Sequence, residues 1–157
     1  MSSFSRPVLF AAAMGVAAPA FAESHVDPAI AGAIAARQAH MQLYAHNLGI
    51  VGGMAQGEIE YDAEMATTAA ADLVALSQIS EQAYWPEGSD NSTGMTRALP
   101  AIWESPEGFA EHRADLIENA MALEAVAGDG VEALGGALRG IGGTCGACHR
   151  EYRARDN

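Results

Sequence analysis

The chain carries two cysteines, and both lie in its last thirteen residues, in the run Cys145-Gly-Ala-Cys148-His149. Thiols at i and i+3 of a helix share one face, so both can add to the two vinyl groups of one porphyrin. The next residue, His149, is then held under the ring, where its imidazole can reach the iron as proximal ligand. Cys-x-x-Cys-His is the attachment motif of haem c, and it implies one covalently bound haem c. Other chemistry is weaker. A Cys145–Cys148 disulfide closes a very small loop and restrains little of the unfolded chain. Two Cys and one His can also ligate zinc, but no second Cys/His pair at finger spacing completes such a site. A thioredoxin-like redox pair expects a βαβ setting, which the sequence does not offer.

A haem carries two propionates, and buried anions need partners. Arg37 is the candidate, because guanidinium binds carboxylate in a forked geometry; the alternative is that it snorkels to solvent. Met41 follows one turn later. Its thioether is a candidate sixth ligand, with plain core packing as the alternative. His40 is the rival ligand but is rotated about 100° from position 41. His25, His40, His46 and His112 are expected mainly on the surface, and Met54, Met65, Met95 and Met121 in packing roles.

Four helical segments must position these residues, and no stretch shows strand alternation. Helix A is expected over 28–56, with Asp27 as N-cap, Pro28 at the first position and Gly57 closing it. Helix B spans 61–80, with Met65, Leu73, Leu76 and Ile79 as its apolar set. A breaker-rich loop covers 81–100. Helix C starts at Ser105-Pro106-Glu107 and runs to 127, and helix D runs from 131 to near the C-terminus. The fold class is all-α, an antiparallel up-down-up-down four-helix bundle, an architecture that often holds cofactors in its core. The inward seam of helix D is expected at Val131, Leu134, Leu138, Ile141, Cys145, Cys148 and Tyr152. That of helix A is expected at Ile30, Ile34, Arg37, Met41, Tyr44, Leu48, Val51 and Ala55.

Residues 1–22 hold a single charge, Arg6, then an apolar run and Ala20-Phe21-Ala22. This is the layout of a secretory signal peptide, too short to span a bilayer, and it predicts export to the periplasm without stable membrane insertion. Residues 23–157 then form one domain. The whole chain has a net charge of −12, with 20 acidic and 8 basic residues, every basic one an arginine. Such a chain repels nucleic acid and is expected to favour a redox partner with a basic face.

Together these features resemble the cytochrome c′ family, the class II c-type cytochromes. The resemblance rests on Cys145-Gly-Ala-Cys148-His149-Arg-Glu-Tyr152-Arg153 near the C-terminus. Three further segments agree: Ile34-Ala-Ala-Arg37-Gln-Ala-His-Met41, Gly57-Glu58-Ile-Glu-Tyr61-Asp62 and Ala98-Leu-Pro-Ala-Ile-Trp103. It implies His149 as proximal ligand, Arg37 as propionate partner, Arg153 near the proximal face, Met41 at the distal position, and dimers through helices A and B. A methionine there resembles the low-spin branch, which implies a periplasmic monohaem cytochrome that transfers single electrons, its low-spin iron held by His149 and Met41 as axial ligands. The alternative is a high-spin, five-coordinate cytochrome c′ that binds NO or CO with Met41 in the distal pocket. No nucleophile–base pair, paired carboxylates or phosphate loop suggests an enzyme. A peroxidase-like site would need a distal acid–base residue, for which His40 is the one candidate.

Overall fold

The computed structural model describes residues 26–155, so the leader expected over 1–22, the domain start at 23 and His25 lie outside the described residues. The long helices are α1 (Pro28–Gln56), α2 (Ala63–Gln78), α4 (Pro106–Glu124) and α5 (Val131–Tyr152), with a single-turn α3 at Ala101–Glu104. Two 3₁₀ turns, Gln82–Tyr84 and Asn91–Thr93, punctuate the loop before α3. The α1 boundaries arise from local chemistry. The Asp27 carboxylate accepts from Ala29 N at 2.7 Å, Pro28 presets the first helical φ, and Gly57 ends the helix at φ 77°. Asp62 caps α2 by accepting from Met65 N at 2.7 Å. Ser105 stands at the N-cap of α4 without a side-chain cap bond, so the start there rests on Pro106.

α1 packs on α2 and α5, and α4 packs on the same two helices, which closes the antiparallel four-helix bundle expected from the sequence. A main cluster fills the bundle, formed by Tyr44, Val51, Met54, Leu73, Leu76, Leu123, Leu134, Ile141 and a set of alanines. A smaller one gathers Ala98, Ile102 and Tyr152, with Trp85, Trp103 and Phe109 packed against it. The loop's end is pinned to the end of α5. Leu99 N donates to Tyr152 O at 2.9 Å and Ala154 N donates to Arg97 O at 2.8 Å across an isolated antiparallel bridge.

The inward faces differ from the expected seams in ways that matter for the site. On α1 the buried stripe runs through Ile34, Arg37, His40, Tyr44, Asn47, Val51 and Met54. Expected and observed stripes share 34, 37, 44 and 51 but alternate in opposite phase between them, so His40 is buried (5 % exposed) while Met41 is 40 % exposed. His40 is drawn in because polar partners wait inside, as described below. On α2 the inward contacts come from Ala66, Ala69, Ala70, Leu73, Leu76 and Ser77, whereas Met65 and Ile79 face out. Small residues let neighbouring helices approach, so the alanine stripe replaces the larger apolar set. Met54 is buried as expected, but Met95 and Met121 are exposed. On α5, Leu134, Ile141 and Tyr152 are buried, Leu138 and both cysteines are half-buried, and Val131 is exposed.

Candidate haem-attachment site

The two thiols stand at the meeting point of the two apolar clusters. Cys145 packs against the bundle core and Cys148 against the aromatic cluster around Tyr152. Both are free, which sets aside the disulfide. Burial raises the Cys145 pKa. Cys148 is pushed up to about 11, first by burial and then by the charges of Cys145, Glu151 and Glu81. Burial therefore favours the neutral thiol at both positions. His149 follows on the more exposed side of α5. Desolvation by the surrounding chain, and secondarily the positive charge of Arg97, lower its pKa and favour the neutral imidazole that ligates a metal. Among the described residues no three or more His, Cys, Asp and Glu side chains gather as a metal site.

Arg37 is buried, 3 % exposed, and its guanidinium holds the loop. Nη1 donates to Tyr84 O at 3.0 Å and to Ser89 Oγ at 2.8 Å; Nη2 donates to Ser89 O and to Thr96 Oγ1 at 3.3 Å. The guanidinium carbon also lies 4.4 Å from the centre of a Trp85 ring. Burial pulls its pKa down, and the Asp90 carboxylate opposes that pull. Snorkelling is thus excluded. The terminal nitrogens that were expected to bind a propionate bind backbone and hydroxyl oxygens of the 84–96 segment instead.

A buried polar cluster lies one turn further along α1. His40 Nε2 lies 3.1 Å from Leu76 O, and because a carbonyl only accepts, Nε2 carries the proton. Nδ1 lies 3.2 Å from Glu81 Oε1. Glu81, itself buried, also accepts from Trp85 Nε1 at 3.1 Å and lies 3.5 Å from Arg113 Nε. The His40 ring stacks on Tyr44 at 4.8 Å. The expected surface position of His40 is therefore corrected: its ring lies inside, bonded to Leu76 O and stacked on Tyr44. Held by Leu76 O, its ring is also not placed as a distal acid–base group. Of the other histidines, His46 is exposed, while His112 is half-buried and lies 3.2 Å from Glu151 Oε2.

The last turns of α5 build a second polar feature. Residues 146, 149, 150 and 153 recur at i, i+3, i+4 and i+7, so they share one face. With Arg97, Ala154 and Arg155 they line one open cleft of about 370 Å³. Half of the chain's eight cationic residues converge there around His149. Sequence reasoning used Arg153 and passed over Arg150 and Arg155; three arginines within residues 150–155 were the available signal.

The residues present fit a covalently held macrocycle. Two neutral thiols share a helix face, a neutral imidazole adjoins them, and the aromatic cluster of Trp85, Trp103, Phe109 and Tyr152 supplies apolar walls beside Cys148. Met41 belongs to neither apolar cluster, so the structure does not bring it into the core with Arg37.

Comparisons with known proteins agree with this fit. The family model described as Cytochrome C′ matches residues 32–153. Cytochrome c-554 of Cereibacter sphaeroides is 41 % identical, over 90 % of this chain and 92 % of its own length. A solved cytochrome c′ from Rhodobacter Spheriodes superposes with a TM-score of 0.78 at 33 % identity, covering 81 % of this chain and 98 % of its own. The nitric oxide complex of a mutant cytochrome c prime from Alcaligenes xylosoxidans superposes with a TM-score of 0.71 at 27 % identity, covering 81 % of this chain and 97 % of its own.

Proposed function

The chain belongs to the cytochrome c′ family and binds one covalently attached haem c, and on that premise we propose that Cys145 and Cys148 hold the haem, His149 takes the proximal side and Met41 forms the distal side. The best supported reading is the five-coordinate one, in which the distal position stays open to a small neutral gas. One observation carries it. Met41 lies one residue off the buried stripe of α1, which runs through His40, so the bundle's own interior does not fix its thioether. The cytochrome c′ name of the solved relatives, one of them a nitric oxide complex, points the same way. In this reading Met41 and its α1 neighbours shape the distal side and exclude water, while His149 supplies the single protein ligand. Arg37 then acts on the propionates through its charge and through Nε, because its terminal nitrogens hold the loop.

The second reading is low-spin, single-electron transfer with His149 and Met41 as axial ligands. It is favoured by a thioether at position 41 and by the c-554 relative, which is more identical to the chain than the solved cytochrome c′ named with it. In both readings the protein is a cytochrome rather than an enzyme, works with a redox partner, and reaches the periplasm by a leader over residues 1–22. Among the described residues no helix is long and apolar enough to cross a membrane. A homodimer belongs to the same proposal, because a further relative is described as having a ligand-controlled dimer dissociation.

Absorption spectra separate the readings. The leading one expects a high-spin ferric spectrum at neutral pH, carbon monoxide binding to the ferrous protein, and little change in Met41→Ala. A weak far-red methionine-to-iron band that disappears in Met41→Ala would overturn it in favour of electron transfer.

A further inference from the structure

The chain as a whole is strongly acidic, yet Arg97, Arg150, Arg153 and Arg155 surround His149 in one open cleft. Arg150 folds across Gly146, where a β-carbon would meet its Nη1 at 3.2 Å, so the guanidinium lies along the cleft rather than extending away from it. Three other arginines of the described residues lie away from this cleft. Arg37 is buried on the loop, Arg113 faces Glu81 and Ile79 O, and Arg139 donates back to Gly135 O on its own helix. Glu151, the acid within this stretch of α5, pairs with His112.

The range of the forces decides which charge an approaching anion feels. At physiological ionic strength the Debye length is about 8 Å, so acids spread over the rest of the surface are largely screened at the cleft. Arg150, Arg153 and Arg155 line one cleft of about 370 Å³ together with Arg97, on the scale of that length, and their charges add there. Guanidinium also pairs with carboxylates through a two-pronged donor geometry. The net charge pointed to a partner with a basic face; the placement of the arginines reverses this locally.

We infer that this cleft is the electron-entry port, and that it docks the acidic face of a one-electron donor protein against the exposed side of His149. The inference rests on the haem reading and serves both of its variants, because a ferrous gas-binding iron must also be reduced from outside. The donor gives up one electron and the iron gains it, with no covalent bond made or broken in the chain.

The test uses the holoprotein with two oxidants of opposite charge, hexacyanoferrate(III) and tris(phenanthroline)cobalt(III), acting on the ferrous form. If the port exists, the hexacyanoferrate rate falls about tenfold as ionic strength rises from roughly 10 to 500 mM, although the protein is anionic overall. The double variant R150E/R155E then loses about tenfold at low salt with hexacyanoferrate and reverses the salt dependence. Its cobalt rate and absorption spectrum stay at least at the wild-type level. A readout without electron transfer runs in parallel. Hexacyanochromate(III), a paramagnetic and redox-inert trianion, added to the ferrous protein held diamagnetic by carbon monoxide, should broaden the amide resonances of Gly146, Arg150 and Ala154 in the wild type and not in the variant. A hexacyanoferrate rate that rises with salt in the wild type overturns the port, as does a variant that behaves like it, or broadening absent from those amides. Haem content measured first as the pyridine haemochrome separates this failure from that of the haem reading: with haem c attached, a wrong salt sign counts against the port alone.

Discussion

Replacing Arg37 by leucine tests whether the guanidinium is a loop clamp or an outward-reaching cation. The side chain is buried, so leucine fits the space and keeps apolar contact with Trp85. Four hydrogen bonds disappear, but they are not equal. Ser89 Oγ keeps its bond to Pro86 O at 2.7 Å, and Thr96 Oγ1 still accepts from Ala98 N at 3.2 Å. The carbonyls of Tyr84 and Ser89 lose a charged donor inside the protein. Hydrogen bonds to charged groups contribute about 1.5–3 kcal/mol each, and the cation over the indole adds about 1 kcal/mol or more. Crediting the leucine with its burial leaves a loss of about 4 kcal/mol, a large share of the roughly 5–15 kcal/mol that holds a domain together. That corresponds to a fall of about 12 °C in Tm for a chain of this size. Urea unfolding of the holoprotein followed by far-ultraviolet circular dichroism measures it, and limited proteolysis reports the loop over 81–100. Arg37→Lys should recover part of the loss, since one ammonium cannot serve two carbonyls and two hydroxyls in the same plane. A change below about 1 kcal/mol in Arg37→Leu, with unaltered proteolysis of the loop, would refute the clamp.

Two further outcomes follow from the packing around α5 and α1. In Gly140→Ala the new β-carbon runs into the Asn119 side chain, whose Nδ2 donates to Asp115 O at 2.8 Å and Thr144 Oγ1 at 3.1 Å. Crowding of about 1–3 kcal/mol competes with a helix-propensity gain of about 1 kcal/mol, so a net loss of about 1 kcal/mol is expected, recovered in Gly140→Ala/Asn119→Ala; a single variant more stable than wild type would show that Asn119 yields freely. The Tyr44 phenol is held above its usual range by burial first and by the Glu81 charge second. A raised folded-state pKa leaves its contribution intact below the unfolded value of about 10 and removes it as pH climbs toward the folded one, so holoprotein stability should fall above pH 10. Tyr44→Phe should flatten that fall in urea midpoints taken from pH 8 to 12, and an unchanged slope would count against the assignment.

The bundle was legible because its helix ends are written in local chemistry. Asp27-Pro28 and Gly57 bracket α1 where the capping rules put them, and Asp62 starts α2 two residues inside the expected boundary. Boundaries softened where the signal was tertiary. The chain after Leu99 turns through Ala101–Glu104 before α4, held by the smaller aromatic cluster and the bridge to Arg153, and no local code announces that. Helix faces were less legible than helix ends. On α2 an apolar count favoured Met65 and Ile79, but close approach to α1 and α4 selects alanine, and the larger side chains are left outside.

The site was read unevenly for the same reason. The Cys145, Cys148 and His149 spacing expresses its chemistry within five residues, and the fold adds only where the two thiols rest. The partners on α1 depend on the phase of a stripe, and two phases share Ile34, Arg37, Tyr44 and Val51. Hydropathy selects the phase through Met41 and Leu48. The structure takes the one through His40 and Asn47, where Leu76 O, on the next long helix, offers the imidazole an interior partner. A buried polar side chain is stable only with such a partner, and pairing across a loop leaves no periodic trace in the sequence. The consequence reaches the function. With His40 fixed inward by Leu76 O, Met41 is set one residue off the buried line. If its thioether does bind the iron, the macrocycle must hold it there, and the strength of that bond should change little when the packing residues of α1 are trimmed.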